Sequence, residues 1–110
     1  MSLRRGTETT HIFGNASTGT IALVSAVANQ RVYLYRMIVT ITTPSISLVL
    51  QDTSGAPLSQ NFQLAVQGAI VLDVSNNYDP WWISNAGLGM QFVQSGTTNV
   101  SYDVWYIQGP

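Results

Sequence analysis

The chain has 110 residues and a mass of 12.0 kDa, which is the size of one ordinary domain. Only 8% of its residues are charged, the formal net charge is −1, and the sequence contains neither lysine nor cysteine. This composition excludes a disulfide framework and a cysteine nucleophile, and it argues against a nucleic-acid partner because few phosphates could be neutralised. No apolar run approaches the roughly 18 residues of a membrane-spanning helix, so no membrane partner is expected.

The chain begins with a polar segment that contains three glycines and shows no periodicity. An extended N-terminal arm is therefore predicted for residues 1–19, and a β-sandwich domain for residues 20–110. The arm is either a disordered N-terminus or an anchor that orders on a partner. In the second case Arg4, Arg5 and Phe13 are the candidate partner contacts, because arginine makes planar, bidentate contacts with carboxylates.

The N-terminal sequence resembles a twin-arginine signal peptide, with Arg4-Arg5 followed by the apolar residues 21–28. The stretch between them is too polar, and the apolar run is too short and interrupted by serine. No signal peptide is expected.

After the arm, short runs rich in β-branched and aromatic residues alternate with turn residues at a spacing of about 8–12 residues, which is typical of a sandwich or barrel. The predicted strands cover residues 20–28, 31–43, 45–51, 58–64, 69–74, 81–84, 88–94 and 100–107. No apolar pattern keeps the helical period for the length of a helix. About eight strands predict an all-β fold, a two-sheet antiparallel β-sandwich of jelly-roll type, with the strand order left open.

Alternation predicts which side chains share a face within each run. In residues 31–43, one face is expected to hold Tyr33, Tyr35, Met37, Val39 and Ile41, and the other Val32, Leu34 and Ile38. In the later runs, the predicted inward side chains are Ile46, Leu48, Leu50, Leu58, Phe62, Leu64, Ile70, Leu72, Val74, Leu88, Met90 and Phe92.

Few residues point to catalysis. His11 is the only histidine and lies in the polar arm, so a solvated side chain is favoured over a catalytic triad. Asp52 and Asp79 follow turn patterns in which aspartate bonds its own backbone, and Asp73 and Asp103 occupy outward strand positions. Structural roles are therefore predicted for all four aspartates, and no enzymatic activity, metal or cofactor is expected.

Trp81 and Trp82 lie beside Tyr78 at the end of a loop. Because adjacent strand residues face opposite ways, one indole is predicted to enter the core and the other to face solvent. The exposed indole could seal the end of the sandwich, anchor a subunit interface or stack on a sugar ring. We name Tyr78, Trp81 and Trp82 as candidates for a subunit interface or distal loop.

The surface carries little protection against self-association. Serine, threonine, asparagine and glutamine supply 37 residues, whereas lysine, which normally protects sheet edges, is absent. This combination favours a protein whose edges and faces are buried in an assembly.

Four segments, in the same order, resemble a family of small structural proteins of tailed bacteriophages and prophages. They are residues 18–34 (TGTIALVSAVANQRVYL), 48–58 (LVLQDTSGAPL), 62–72 (FQLAVQGAIVL) and 78–92 (YDPWWISNAGLGMQF). A final strand rich in tyrosine and valine closes the pattern. These proteins resemble capsid decoration (cement) proteins, which are β-sandwich subunits seated on the outside of the shell.

The resemblance implies a virion structural protein that binds the outer capsid surface as a homotrimer and stabilises contacts between major capsid subunits. It would be made in the host cytoplasm, and its partners would be further copies of itself and the major capsid protein. The N-terminal arm lies outside the four segments, so Arg4, Arg5 and Phe13 are assigned to a capsid-binding arm from composition alone. The alternative is a carbohydrate- or receptor-binding β-sandwich module of a phage fibre or tail, in which an exposed tryptophan stacks on glycans.

Overall fold

Two antiparallel sheets form the protein in the computed structural model, which describes residues 9–43, 45–73 and 79–110. These described residues contain nine strands and no helix. The strands are β1 (Thr10–Ala16), β2 (Thr20–Val24), β3 (Arg31–Ile41), β4 (Ile46–Asp52), β5 (Phe62–Leu64), β6 (Ala69–Leu72), β7 (Trp82–Ile83), β8 (Met90–Gln94) and β9 (Val100–Gly109). The predicted all-β fold, a two-sheet antiparallel β-sandwich, is confirmed.

The five-stranded sheet has the order β1-β9-β3-β6, with β7 also pairing with β3, and the four-stranded sheet has the order β2-β8-β4-β5. Strands that are neighbours in the sequence therefore often belong to different sheets. The longest strand, β3, is central because it pairs with β9 on one side and with β6 and β7 on the other.

The hydrophobic core fills the space between the sheets. Alternation is regular in β4 and β8, where every second residue is buried. Of the predicted inward side chains, the buried ones are Ile46, Leu48, Leu50, Leu64, Ile70, Met90 and Phe92, and the half-buried ones are Leu58, Phe62, Leu72 and Leu88. Val74 lies outside the described residues. Where the structure describes them, these predictions are confirmed.

In β3 the alternation changes at Tyr35. The register with β9 shifts between Leu34 and Arg36, so Tyr35 is the additional residue of a β-bulge. The buried side chains are consequently Val32 and Leu34 before the bulge, and Met37, Val39 and Ile41 after it. The prediction of two uninterrupted faces along residues 31–43 is wrong. Even-numbered residues point inward before the bulge, and odd-numbered residues point inward after it.

The predicted arm is partly a strand. Residues 10–16 form β1, which pairs with β9 along its whole length without a register shift. The prediction that residues 1–19 lie outside the sheet is therefore wrong for this part, whereas Arg4 and Arg5 lie outside the described residues. Only Ile12 and Ala16 of β1 pack against the core, which explains why its sequence shows so weak an apolar pattern.

Candidate interaction surface

One side of the five-stranded sheet faces away from the core and is called the outer face below. The strand register shows which side chains lie on this face. The side chains of Ile12, Val104, Met37 and Ile70 point inward, so the residues before and after each of them in the strand point outward. The outer face includes His11, Phe13, Arg36, Ile38, Val71, Ile83, Asp103 and Trp105.

An apolar row crosses the outer face from edge to edge. Phe13 pairs with Asp103, Asp103 with Ile38, and Ile38 with Val71. The Phe13 side chain is 75% exposed and that of Val71 is 65% exposed, the highest values among the large exposed hydrophobic residues. Half-buried Ile38 lies beside Val71, whereas Asp103 separates both from Phe13. Exposed apolar side chains grouped on one face of a folded domain are typical of an interaction site.

A stacked aromatic group lies beside this row. The His11 ring stacks on the Trp105 ring, with centroids 4.3 Å apart and planes 9° from parallel. From the neighbouring strand, the Arg36 guanidinium lies 4.4 Å from the centroid of Trp105, which is cation–π geometry. Trp105 therefore stands between a cation and an imidazole, and its indole stays half-buried on the surface.

Two close polar contacts connect charged or titratable side chains of the outer face. His11 Nε2 lies 2.8 Å from Asp103 Oδ1, and Arg36 Nε lies 2.7 Å from Asp73 Oδ1. All four side chains are substantially exposed, so each pair adds only about 0–1 kcal/mol to stability. The outward positions of both aspartates are confirmed, and His11 is exposed as expected. Its contacts with Asp103 and Trp105 were not predicted, because they depend on the missed strand β1.

The opposite face of the sandwich has a different chemistry. On the outward side of the four-stranded sheet lie the polar residues Thr20, Ser47, Gln51, Gln63 and Gln91, together with Ala22 and the half-buried Val49 and Val93. Gln91 Nε2 donates a hydrogen bond to Gln51 Oε1 at 3.1 Å across the two strands. None of the described strand residues on this side is a large hydrophobic side chain as exposed as Phe13 or Val71, so the outer face has the more exposed apolar side chains.

Trp81 and Trp82 lie near the edge of the five-stranded sheet opposite to β1. Trp82 packs against the core and meets the Phe62 ring edge-on at 6.3 Å, while Trp81 is 44% exposed. The predicted division into one inward and one outward indole is confirmed. Tyr78 lies outside the described residues, and the structure does not bring Phe13 together with the two tryptophans.

A cleft of about 410 Å³ lies where β5 of one sheet approaches Trp81 and the strands β6 and β7 of the other. It is lined by Leu58, Ser59, Gln60, Phe62, Leu72, Trp81 and Trp82. These lining residues are aromatic, aliphatic or neutral and polar, so the cleft suits an uncharged ligand with an apolar surface.

Asp52 has a structural role, as its turn pattern predicts. Its Oδ1 accepts hydrogen bonds from the backbone N–H of Ser54 at 2.9 Å, the hydroxyl of Ser54 at 2.6 Å and the N–H of Ala56 at 3.1 Å. Burial raises the pKa of this carboxyl, but the hydrogen bonds from Ser54, Ala56 and Gly55 together outweigh it, so the pKa lies below its ordinary value.

A second hollow, of about 440 Å³, is lined by Ser45, Ile46, Ser47, Gln63, Leu64, Ala65 and Ser95. Within residues 9–43, 45–73 and 79–110, no three His, Cys, Asp or Glu side chains are grouped so that they could hold a metal ion. The same ranges contain no helix long and apolar enough to cross a membrane.

The fold and the outer face together define the class of molecule: an all-β sandwich in which one sheet exposes mainly neutral polar side chains and the other exposes Phe13 and Val71 beside charged groups. The chain matches no protein-family model, and no curated protein matches its sequence. Sequence reasoning selected Phe13, which is the most exposed large apolar residue of the outer face, but it missed the group around Trp105. The sequence feature that could have revealed this group is the outward-facing position of Asp103 and Trp105 in the last predicted strand.

Proposed function

We propose that this protein is a virion structural protein of a tailed bacteriophage, a capsid decoration (cement) protein. In this proposal it binds the outside of the shell as a trimer and stabilises contacts between neighbouring major capsid subunits. The observation that carries the proposal is the outer face, where Phe13, Ile38 and Val71 lie beside the Arg36–Asp73 ion pair and the His11–Asp103 hydrogen bond. The resemblance over four ordered segments supports the proposal that the protein acts in a virion.

The chemistry of the outer face suits a protein interface better than a catalytic site. Interfaces between proteins are enriched in aromatic residues and arginine and depleted of unpaired charges at their centre. Trp105 and Arg36 are such residues, and Asp73 lies within ion-pair distance of Arg36 before any association occurs. Many contacts of this kind, repeated by symmetry on a shell, add through avidity without one tight site.

The direct test is binding of the purified chain to empty shells assembled from the major capsid protein of the same phage. We expect saturable co-sedimentation, and additional density on the outer surface at local three-fold positions by electron cryomicroscopy. Shells carrying the chain should also withstand heating or osmotic shock better than bare shells. Absence of binding at micromolar concentrations of the chain would contradict the proposal.

The cleft beside Trp81 favours a second candidate, a glycan-binding module of a fibre or tail. A sugar ring has an apolar face that can stack on an indole and hydroxyls that suit neutral polar groups such as Gln60, and the lining residues include no charged side chain. This candidate predicts that the wild-type chain binds neutral glycans on an array. Binding should be lost in Trp81→Ala and retained in Phe13→Ala, and a blank wild-type array would exclude it.

A further inference from the structure

Two features with complementary shapes lie at opposite edges of the five-stranded sheet. At the β1 edge, the Phe13 ring projects from the outer face and is 75% exposed, the highest value among the large hydrophobic side chains that the structure describes. At the other edge, the cleft of about 410 Å³ lies between β5 and the segment around Trp81. One edge thus carries an apolar projection, and the other carries a cavity with apolar walls.

The walls of the cleft suit a phenyl ring. They include Leu58, Leu72 and the rings of Phe62 and Trp82, which meet edge-on at 74° with centroids 6.3 Å apart. A further ring can join such a pair in an edge-on or offset arrangement, which aromatic side chains prefer. None of the lining residues is charged, so an inserted apolar side chain leaves no buried ion without a partner.

The polar groups of the cleft favour a side chain over a sugar. The Ser59 hydroxyl accepts a hydrogen bond from Leu50 N at 2.9 Å and donates one to Gln60 O at 2.8 Å, so it is already engaged within the chain. The other polar side-chain groups of the lining are the Gln60 amide and two indole N–H groups. A buried sugar needs partners for many hydroxyls, whereas a phenyl ring needs none.

A single subunit cannot bring the projection and the cleft together. The sheet order β1-β9-β3-β6 places three strand spacings between the two edges, which is about 14 Å. One phenylalanine side chain is too short to cross that distance, so a Phe13 that enters the cleft must come from another copy. With a net charge of −1, two copies repel each other little.

We infer that, in the proposed trimer, Phe13 of each copy inserts into the cleft beside Trp81 of the next copy. This inference rests on the proposed function, which supplies the three-fold arrangement. A contact around a three-fold axis joins two different surfaces of each subunit, whereas a contact across a two-fold axis joins one surface to itself. A projection at one edge and a cleft at the other are two such different surfaces.

The strand register is compatible with a closed ring. The row of paired residues across the outer face begins at Phe13 and ends at Val71, and the next residue of β6, Leu72, lines the cleft. The projection and the cleft therefore lie at similar levels along the strands. Successive copies can then be related by a rotation with little displacement along its axis, which closes a ring, whereas a large displacement would give an open filament.

Disulfide trapping tests the contact directly, because the chain contains no cysteine of its own. Under mild oxidation, we expect the double variant Phe13→Cys/Gln60→Cys to form a covalent trimer of three times 12.0 kDa, since Gln60 is an exposed residue of the cleft. The two cysteines of one subunit lie at opposite edges and cannot pair, because a disulfide needs Cα atoms within about 7 Å. The matched control is Phe13→Cys/Gln63→Cys, whose second cysteine lies on the polar face and should give no covalent trimer.

Light scattering measures how much the Phe13 ring contributes. Phe13→Ala should weaken the association by about tenfold or more, so its mass should fall towards 12.0 kDa at a concentration at which the wild type is trimeric. Because Phe13 is exposed, the fold should be unaffected, which circular dichroism checks. The control is Val66→Ala, which shortens another exposed apolar side chain outside the cleft lining and should keep the wild-type mass.

Each other result overturns a defined part of this model. If the wild type is trimeric but Phe13→Ala keeps its mass and no covalent trimer forms, the subunits meet through other surfaces; the inference is wrong and the proposed function stands. Covalent products that continue beyond the trimer would show a filament and contradict the ring. If the wild type is a monomer, the inference is wrong, and binding to empty shells alone then decides the proposed function. Glycan binding that requires Trp81, without a covalent trimer, would make the cleft a sugar site.

Discussion

One carboxylate oxygen at Asp52 organises the turn that follows β4. It accepts three hydrogen bonds from two residues further along the chain, Ser54 and Ala56, and the backbone oxygen of Asp52 accepts one from Gly55 N at 3.0 Å. Because only 3% of Asp52 is exposed, these donors replace most of the water that the ionised carboxylate would otherwise bind. The charge is therefore stabilised locally and contributes to folding.

Asp52→Asn should lower the free energy of unfolding by about 1–2 kcal/mol at neutral pH, since it replaces charge-assisted hydrogen bonds by neutral ones. The folded-state pKa of Asp52 lies below its ordinary value of 3.8, so its contribution is fully present above that value and is lost as the pH falls through the folded-state pKa. The difference between wild type and variant should therefore shrink in acid. Urea unfolding at several pH values measures this difference in the free energy of unfolding. Asp79→Asn, at an exposed aspartate, is the control. A difference between wild type and Asp52→Asn that grows in acid would refute this explanation.

At the scale of elements, the alternation of apolar and polar residues was sufficient to predict which side chains are buried in β4 and β8, but not in β1 or β3. In β4 and β8 the period of two continues without interruption, so burial follows directly from the apolar residues. The bulge at Tyr35 is a property of the pairing between β3 and β9, which is not encoded in residues 31–43 alone. Likewise, β1 has few inward apolar residues and becomes recognisable only through its partner, so the His11–Trp105 stack could not be predicted either.

The start of β8 passes very close to the end of β2, and Gly89 permits that contact. A Cβ atom at Gly89 would overlap the carbonyl oxygen of Val24 and would lie 2.8 Å from Ser25 C and 2.9 Å from Ala26 N. All three atoms are backbone, so no side chain can rotate away. On the other side, Gly89 N donates to Thr53 Oγ1 at 3.0 Å, which limits movement of the glycine itself.

Gly89→Ala should therefore destabilise the fold by about 2–3 kcal/mol, the range expected when extra volume forces backbone to shift. Thermal or urea unfolding measures the change. Gly109→Ala is the matched control, because nothing lies within 4 Å of its Cβ position, and it should stay within about 0.5 kcal/mol of wild type. Equal stability of the two variants would show that β2 and β8 are not held at this distance.

At the scale of the whole molecule, the sandwich is two-sided. The four-stranded sheet presents mainly neutral polar side chains to solvent, with Val49 and Val93 half-buried among them. The outer face of the five-stranded sheet presents the more exposed apolar residues together with charged side chains. With a net charge of −1, no long-range repulsion keeps two copies apart. An association through the outer face would thus bury the apolar side and leave the polar side wet.

The proposed trimer should consequently depend on the outer face and be indifferent to the opposite one. Light scattering of the wild type should give a mass near three times 12.0 kDa, and Val71→Lys should shift it towards 12.0 kDa, because a charge would be placed in the apolar row. Gln63→Lys, on the exposed polar face, should leave the mass unchanged. If the trimer persists in Val71→Lys and dissociates in Gln63→Lys, the subunit contact lies on the four-stranded sheet instead. If the wild type is a monomer, the trimeric part of the proposal is wrong.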